Sequence, residues 1–354
     1  MRALTFHGTG DVRCERVPDP VILDQRDAIV RVDLAAICGS DLHVWRGHEA
    51  GLDPGTVLGH EFMGEVVAIG KEVRGLALGD RVVCPFSTSC GDCASCHEKL
   101  SSRCEHGQLF GWVEGGAGLQ GTQAEYARVP LAEGSLVKLP TDLPESVPDE
   151  ASLLVGDVLS TGFFCADAAR FRPEADVVVL GCGPVGLMAV VGARHLGAGR
   201  VFAVDTVPER LSLAEGFGAQ AMPLGADLKE RVLEATGGKG VDCVLEVVDS
   251  PQASRLALDL LRPGGTISAV GVHTENAFAF SPGEAYDKNL TYVAGRCPAR
   301  SYAERMFELL ATEQYPLASI FSHRMGLEAG AEGYRLFEGK LDGCTKVLLI
   351  PADH

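Results

Sequence analysis

The sequence predicts a two-domain α/β protein in which a mostly-β region precedes a parallel sheet that helices cover on both faces. Its 354 residues are enough for about two domains. Residues 1 to about 150 contain short strand patterns that glycine and proline interrupt. Residues from about 175 to 295 instead alternate short β-branched runs with helical stretches, which is typical of a buried parallel sheet.

The first region and the tail of the chain supply the predicted strands of the mostly-β domain. Four segments of the first region have strand character: AIVRVDLAAI, GEVVAIG, DRVVCPF and AEYARVP. The tail adds a predicted helix over residues 301–310 and a final strand, KVLLI. We expect this final strand to return to the first region.

The second region supplies the elements of the parallel sheet. Its predicted strands are VVVLG, RVFAVD, AQAMPL, VDCVLEVV, TISAVGV and LTYVAG. Helices are predicted between them over residues 185–196, 208–217, 227–236 and 252–261.

Composition and charge exclude several classes of protein. Hydrophobic residues make up 46% of the chain and charged residues 22%, which is ordinary for a globular protein. The formal net charge is −17, and no stripe of lysine and arginine offers a nucleic-acid surface. The apolar runs are too short for a signal peptide or a membrane span. We therefore expect a cytoplasmic protein, in which the twelve cysteines do not form disulfides.

The sequence GCGPVG follows the first strand of the second region and opens a helix, which is the context of a dinucleotide-binding turn. In such a turn Gly181 permits the tight bend, Gly183 lets the pyrophosphate approach, and Gly186 packs the helix against the strand. The helix N-terminus offers free N–H groups to the phosphates. Asp205 ends the next strand, about 20 residues on, where a carboxylate binds the adenosine ribose and repels a 2′-phosphate. The motif predicts NAD rather than NADP.

Four cysteines with the spacing C-x2-C-x2-C-x7-C lie between residues 90 and 104: Cys90, Cys93, Cys96 and Cys104. A closed shell of four thiolates is typical of structural zinc. An iron–sulfur cluster is the alternative. The bacterial ferredoxin motif, however, has its fourth cysteine after three residues and before a proline, and here Glu105 follows Cys104. We predict a structural zinc that holds a loop and takes no part in the chemistry.

Further metal-binding residue types occur in three dispersed segments: CGSDLH at 38–43, GHE at 59–61 and GDVLSTG at 156–162. Each segment alone is weak evidence, since a single cysteine or histidine is usually a packed core residue. The combination of thiol, imidazole and carboxylate with a dinucleotide domain predicts a catalytic zinc, which needs three protein ligands and an open position.

These motifs together resemble the zinc-dependent medium-chain alcohol dehydrogenases, in the branch that contains formaldehyde dehydrogenase-like and threonine dehydrogenase-like members. The segments CGSDLH, GHEFMGEVVAIG, the four-cysteine lobe, GDVLSTG and GCGPVG occur in the family's order and spacing. The resemblance covers essentially the whole chain. It implies a GroES-like catalytic domain over residues 1–152 and 297–354 and a Rossmann coenzyme domain over residues 153–296.

The resemblance implies roles for the residues of the dispersed segments. Cys38, His60 and Asp157 would be the catalytic zinc ligands. Asp157 departs from members that have a cysteine there, although other members use aspartate. Glu61 would lie beside the metal. Asp41 would orient the ring of His60 through its distal N–H.

The family mechanism implies hydride transfer between an alcohol and NAD through a zinc-bound alkoxide. Ser40 would take the hydroxyl proton and pass it through the nicotinamide ribose to His43, which titrates near neutral pH and would release it to solvent. In the reverse direction the same zinc would polarise an aldehyde or ketone.

The resemblance also implies contacts to the coenzyme and the substrate. Beyond the glycines and Asp205, the coenzyme contacts would be Pro184, Val185, Arg210, Thr161, Val270, Val272, Gly295, Arg296 and Lys346. The alternative for Lys346 is a solvated side chain, and for Arg296 it is an ion pair between domains. We hypothesise that Arg296 meets a polar or anionic part of the substrate or coenzyme. Trp45, Phe86 and Trp112 would wall the substrate pocket, with Trp112 on a flexible loop.

The leading functional prediction is an NAD-dependent zinc alcohol dehydrogenase with two zinc ions per subunit. Polyol and formaldehyde dehydrogenase activities remain open within that class, and the segments LFGW and GRCP favour the latter. A non-catalytic dinucleotide-binding zinc protein is the alternative from another class, and a zinc-free quinone reductase would lack both cysteine sets. The expected partners are a small-molecule alcohol or aldehyde and other copies of the chain, in a tetramer or a dimer.

Overall fold

A computed structural model describes residues 1–273 and 276–351, and the chain divides into two compact units. We call Met1–Asp157 with Pro298–His354 the terminal unit, and Val158–Cys297 the central unit. The predicted domain boundaries at 152 and 297 fall close to these divisions. Residues 352–354 of the predicted terminal domain lie outside the described residues.

The terminal unit is built mainly from strands, whose bounds are β1 Arg2–Gly8, β2 Asp11–Arg16, β3 Ala28–Ile37, β4 Glu61–Ile69, β5 Arg81–Cys84, β6 Trp112–Glu114, β7 Ala117–Leu119, β8 Tyr126–Val129, β9 Val137–Lys138, β16 His323–Gly326 and β17 Val347–Ile350. Its helices are α1 Asp41–Trp45, α2 Ala94–His97, α3 Ala132–Ser135, α4 Asp149–Leu153, α11 Ala299–Ala311 and α12 Gly330–Gly339. Short 3-10 helices cover Ser101–Arg103, Leu154–Gly156, Leu317–Ile320 and Leu327–Ala329.

The main sheet of the terminal unit has the strand order β16-β17-β3-β4-β5-β9, with β8 also paired to β3. Strand β3 lies at its centre, and buried and half-buried residues alternate over its first half, as expected for a strand with one face on the core. The final strand β17 pairs antiparallel with β3, so that Val347 lies opposite Ile37. The prediction that the last strand returns to the first region is confirmed.

Trp112 lies in a β-hairpin made by β6 and β7, and the prediction of a flexible loop was wrong. Gly115 and Gly116 form the two-residue turn with φ of 59° and 77°, which is the left-handed conformation that such turns require. The carboxylate of Asp53 accepts hydrogen bonds from both glycine N–H groups, at 3.1 and 2.7 Å. These two bonds fix the turn to the body of the unit.

The central unit is a six-stranded parallel sheet with helices, as the strand–helix alternation predicts. Its strands are β10 Asp176–Leu180, β11 Arg200–Asp205, β12 Gln220–Pro223, β13 Val241–Glu246, β14 Leu261–Ala269 and β15 Thr291–Ala294. Its helices are α5 Val158–Ala168, α6 Pro184–His195, α7 Pro208–Gly216, α8 Leu228–Ala235, α9 Pro251–Leu260 and α10 Pro282–Lys288. The strand order is β12-β11-β10-β13-β14-β15. Successive strands are added on one side of β10 up to β12 and on its other side from β13 onwards. Ligands bind at such a switch point between β10 and β13.

Helix α5, which the sequence analysis did not predict, packs closely on α6. A Cβ atom on Gly162 of α5 would lie 2.5 Å from the backbone nitrogen of Ala189 in α6. The approach of the two helices therefore depends on the absence of a side chain at Gly162.

No single helix of the described residues has the length and apolar composition of a membrane span. One bent helix pair, Asp149–Gly156 with Val158–Ala168, has this length and apolar composition when its two parts are taken together. Buried core helices of soluble proteins meet the same criterion.

We expect Gly162→Ala to destabilise the protein by about 1–3 kcal/mol, because the added methyl group must force the two helices apart. Urea denaturation measures the change. Gly283→Ala is the matched control, since Gly283 lies in α10 with only the Ser281 hydroxyl near its Cβ position, at 3.8 Å. The control should be stabilised by up to about 1 kcal/mol, as for any exposed helical glycine. Equal stability of the two variants would contradict this packing argument.

Candidate metal centres and coenzyme site

The three dispersed segments of the terminal unit converge on one buried cluster. Ligand atoms of Cys38, His60, Glu61 and Asp157 all lie within 4.8 Å of one another. Cys38 directly follows β3, and Glu61 begins the neighbouring strand β4. The Oδ2 atom of Asp157 lies 3.4 Å from the Cys38 sulfur and 3.3 Å from Nε2 of His60.

The electrostatics of the cluster favour the binding of a cation. Burial, reinforced by the charge of Asp157, raises the pKa of the Cys38 thiol to about 12. Burial alone would lower the pKa of His60, but the charge of Asp41 and hydrogen bonds to Asp157 and Asp41 raise it well above its usual value. Atom Oε2 of Glu61 is buried and has no hydrogen-bond partner among the described residues. A buried thiol, imidazole and two carboxylates form a donor set that fits Zn²⁺, which would hold the sulfur as a thiolate.

Asp41 and Ser40 contact the imidazole of His60. Oδ1 of Asp41 lies 3.3 Å from Nδ1 of His60, as the orienting role requires. The Oγ atom of Ser40 lies 3.3 Å from Nε2, the same nitrogen that lies 3.3 Å from Asp157. His43 follows in α1, where its half-buried ring lies 6.2 Å from the ring of His48.

Lys346 is fully buried beside Glu61, so it is not a solvated lysine. Its Nζ atom donates to Oε1 of Glu61 at 2.7 Å and to the carbonyl of Ile37 at 3.3 Å. Burial lowers the pKa of Lys346, but the charge of Glu61 outweighs it and raises the pKa above the usual value. The reason for this placement is the sheet, because Lys346 directly precedes β17 and β17 lies alongside β3.

The four-cysteine lobe forms a second cluster, in which all four sulfur atoms lie within 4.8 Å of one another. Cys90 and Cys96 are 4.0 Å apart at their sulfurs, and Cys93 and Cys104 are 3.9 Å apart. Four sulfurs on one zinc ion at 2.3 Å lie about 3.8 Å apart, whereas a cluster of several irons holds them farther apart. The geometry therefore fits a single ion.

Backbone N–H groups stabilise the negative charge of these sulfurs. Cys90 accepts hydrogen bonds from the N–H groups of Asp92 and Cys93, at 3.4 and 3.3 Å. Backbone hydrogen bonding from Glu105 is the main reason why the pKa of Cys93 falls to about 6. Burial raises the pKa of Cys96 to about 12 and also raises the pKa of Cys104, so a bound cation would be needed to hold these two sulfurs as thiolates.

The glycine turn of the central unit has the steric properties that a dinucleotide-binding turn requires. Gly181 follows β10 with φ of +88°. A Cβ atom on Gly186 would lie 1.8 Å from the carbonyl oxygen of Gly181. Above Gly183, in contrast, the nearest atom to a Cβ position is Nη1 of Arg210, at 3.7 Å. This space leaves the backbone open to a ligand. Helix α6 begins at Pro184 and Val185, with no side-chain cap on its first N–H groups.

Asp205 ties the end of β11 to the glycine turn. Its Oδ2 atom accepts a hydrogen bond from the N–H of Cys182 at 2.7 Å, and Oδ1 accepts from Thr206 and Val207. Nη1 of Arg210 lies 4.0 Å from the same carboxylate. A negative charge is therefore fixed at the end of β11, beside the turn.

The other predicted coenzyme contacts of the central unit are placed as follows. Val270 and Val272 follow β14, Gly295 and Arg296 follow β15, and Thr161 lies in the first turn of α5. Arg296 and Val272 are exposed, while Thr161 is half-buried. The four that follow strands lie at carboxyl ends of the parallel sheet, the edge where such sheets bind ligands.

The three predicted substrate-pocket residues are all half-buried. The ring of Trp45 packs on that of Tyr334, with centroids 5.7 Å apart. Trp112 contacts Glu114, its Nε1 atom lying 3.4 Å from the carboxylate, and Phe86 follows β5. A cavity of about 460 Å³ elsewhere in the terminal unit, between α11 and residues 136–143, contains none of the three.

Comparisons with known proteins identify the family of the chain. The model of the alcohol dehydrogenase GroES-like domain matches residues 24–141, and that of zinc-binding dehydrogenase matches residues 184–312. Zinc-type alcohol dehydrogenase B from Aspergillus flavus is 43% identical over 346 residues, which cover 95% of this chain and 78% of that protein. The chain belongs to the zinc-dependent medium-chain alcohol dehydrogenases. As a member of this family it is an oxidoreductase with a GroES-like domain and a Rossmann-type parallel-sheet domain.

Two further relatives place the dehydrogenase within its family. The structure of alcohol dehydrogenase TADH from Thermus sp. ATN1 superposes with a TM-score of 0.91 at 40% identity, covering 99% of this chain and 100% of that one. Formaldehyde dismutase from Pseudomonas putida is 31% identical over 379 residues, 95% of this chain and 94% of that protein. The alcohol dehydrogenase fold therefore extends over the whole chain.

Sequence reasoning missed Gln123 and Tyr334, two polar residues of the terminal unit that are 0% exposed. Both lie near Asp41, as described below. The only signal was a glutamine directly before a strand-like segment, and a buried glutamine needs a partner that the sequence does not reveal.

We expect Lys346→Met to lower the free energy of unfolding of the dehydrogenase by about 3–5 kcal/mol, because the charge of Glu61 would stay buried without its partner. Denaturant unfolding at constant zinc concentration measures this. A second change, Glu61→Gln, should restore part of the loss. Arg81→Met is the control: both partners of the Arg81–Asp149 pair are 46% exposed, so the loss should stay below about 1 kcal/mol. Equal losses in Lys346→Met and Arg81→Met would show that the buried pair contributes no more to the free energy of unfolding than the exposed pair does.

Proposed function

We propose that the enzyme transfers a hydride between an alcohol, or the corresponding aldehyde or ketone, and NAD, with zinc held by Cys38, His60 and Asp157. The observation that carries the proposal is the buried convergence of these three ligands with Glu61. Zinc bound there would act as a Lewis acid that makes an alcohol hydroxyl easier to deprotonate.

The protein's own residues would position the ligands and move the proton. Ser40 precedes α1 and contacts His60, so its hydroxyl lies beside the proposed metal ligands and is suited to accept the substrate proton. His43 lies on the next turn, where its backbone N–H donates to the carbonyl of Ser40 at 3.0 Å. A half-buried imidazole at this position is suited to release the proton to solvent.

Lys346 would hold Glu61 in place rather than bind the coenzyme. It neutralises a carboxylate that would otherwise be buried beside Asp157 as a second uncompensated negative charge. Oε2 of Glu61 remains without a hydrogen bond in the described part of the chain, which leaves it available to a cation.

We propose two zinc ions per chain, one in each cluster, as a test of the whole assignment. Metal analysis of Asp157→Ala and of Cys93→Ser should each give one zinc, because each variant loses a ligand of a different site. Asp157→Ala should also abolish NADH-linked turnover of alcohols. Cys165→Ser is the control, since Cys165 is a buried cysteine outside both clusters and should leave two ions bound. A wild-type enzyme with one zinc, retained in Asp157→Ala and lost in Cys93→Ser, would overturn the catalytic site.

The preference for NAD over NADP rests on Asp205. Its carboxylate is held by three backbone N–H groups and cannot turn away from a 2′-phosphate without losing them. The nearby guanidinium of Arg210 reduces this repulsion without contacting the carboxylate closely.

We expect Asp205→Ser to raise the ratio of kcat/KM for NADP to that for NAD by at least about tenfold, which corresponds to ~1.4 kcal/mol. Steady-state kinetics with both coenzymes measures the ratio. Glu209→Gln removes an exposed negative charge four residues away and should leave the ratio within about twofold. If both variants change the ratio equally, general electrostatics rather than Asp205 selects the coenzyme.

Formaldehyde or another small aldehyde is the second candidate substrate. The similarity to formaldehyde dismutase supports it, together with the segments LFGW and GRCP. A panel of primary alcohols, polyols and aldehydes distinguishes the candidates by NADH absorbance. The absence of turnover with every member of the panel would favour a non-catalytic protein.

We also propose a cytoplasmic homo-oligomer, a tetramer or a dimer. Strand β15 ends the central sheet and pairs only with β14 among the described residues, while Tyr286 and Phe278 are 82% and 65% exposed. An open sheet edge and exposed aromatic rings favour association between copies.

A further inference from the structure

A chain of buried hydrogen bonds connects Tyr334 to the predicted metal ligand His60. The phenol of Tyr334 donates to Oε1 of Gln123 at 2.8 Å. Nε2 of Gln123 donates to Oδ2 of Asp41 at 3.0 Å. Oδ1 of the same carboxylate lies 3.3 Å from Nδ1 of His60. Tyr334 and Gln123 are 0% exposed and Asp41 is 7% exposed, so water does not compete for these bonds.

Gln123 is held in place by the backbone around His60. Its N–H donates to the carbonyl of Leu58 at 2.9 Å, and Nε2 makes a second bond to the carbonyl of Ala36 at 3.2 Å. Gly59 has φ of +92°, and a Cβ atom there would lie 2.4 Å from Cγ of Gln123. The glycine that precedes His60 therefore makes room for the glutamine side chain.

The amide of Gln123 gives the two carboxylate oxygens of Asp41 different hydrogen-bond partners. Oδ2 accepts hydrogen bonds from Gln123 and from the N–H of Cys38, at 3.0 and 2.9 Å. With Oδ2 fully engaged, Oδ1 is directed to His60. Tyr334 in turn donates to Oε1 of Gln123, which orients the amide so that its NH₂ group faces Asp41.

We propose that Gln123 and Tyr334 are positioning residues, which fix Asp41 and through it the imidazole of His60, and thereby set the affinity of the terminal unit for its catalytic metal. The inference rests on the proposed function, because it requires His60 to be a metal ligand. Hydrogen-bond partners of ligating histidines commonly change metal affinity by 10–100-fold. Gln123 and Tyr334 act one and two bonds farther out, so we expect effects of about tenfold and about threefold.

The test measures cobalt(II) binding to the intact chain, with zinc kept in the four-cysteine lobe. Gln123→Met and Tyr334→Phe should weaken cobalt affinity, in competition with a chelator, by about tenfold and about threefold, and should alter the visible d–d spectrum of the bound ion. Thr122→Val is the matched control. Thr122 is buried next to Gln123, and its hydroxyl has no hydrogen-bond partner in the described ranges. It should leave affinity and spectrum within about twofold of wild type.

A double-mutant cycle separates positioning from general destabilisation. In an Asp41→Asn background, Gln123→Met should change cobalt affinity by less than about twofold, because its effect passes through the carboxylate. Two results would overturn the inference and leave the proposed function intact. One is that Gln123→Met and Tyr334→Phe bind cobalt as tightly as Thr122→Val does. The other is that Gln123→Met weakens cobalt affinity as much in the Asp41→Asn background as in the wild type. A wild-type chain that binds no cobalt at Cys38, His60 and Asp157 would refute the proposed function, and the inference with it.

Discussion

The terminal unit depends on one constraint, the desolvation of a cluster of charged and polar side chains. The cluster lies where β3 ends and β4 begins. Asp41, Glu61 and Asp157 are all at most 7% exposed, and removing such carboxylates from water is costly unless each has a partner. His60 and Lys346 provide the positive partners within the protein. Burial raises the pKa of the Cys38 thiol, and a bound cation would lower it. A bound cation would offset this cost of burial, which favours the cluster as a metal site.

The sheet makes this arrangement possible by bringing distant segments together in a fixed register. Ala36 lies opposite Glu61 in the β3–β4 pair, which places Cys38 beside the start of β4. The β17–β3 pair then carries Lys346 to the same end, although it is 285 residues from Glu61 in the sequence. A shift of register by one residue would turn these side chains to the opposite face. The chemistry of the cluster thus depends on strand pairing as much as on the identity of its ligands.

What could be predicted from the sequence was governed by short-range rules. The glycine turn, the cysteine spacing and the strand–helix alternation each depend on residues near one another in the chain, and the structure has all three. The partner of Lys346 and the contact between Gln123 and Tyr334, 211 residues apart, depend on tertiary packing that no local pattern encodes. Helix α12 was missed because its three glycines oppose helix formation, and its packing against the core stabilises it instead.

The two candidate metal clusters differ in the sequence separation of the hydrogen bonds that stabilise their side chains. In the four-cysteine lobe, sulfur charge is stabilised by N–H groups of the same loop, the most distant donor being Cys90 to Cys104, 14 residues apart. Spacing alone therefore identifies the site. Around His60 the stabilising groups come from β3, α1 and the β8 side of the sheet, and Gln123 is 82 residues from Asp41. A site built on such long-range contacts changes its metal affinity when residues far from the ion change, whereas a loop that supplies its own N–H groups is insulated from them. Variation of the outer residues would therefore adjust the proposed catalytic site without disturbing the four-cysteine site.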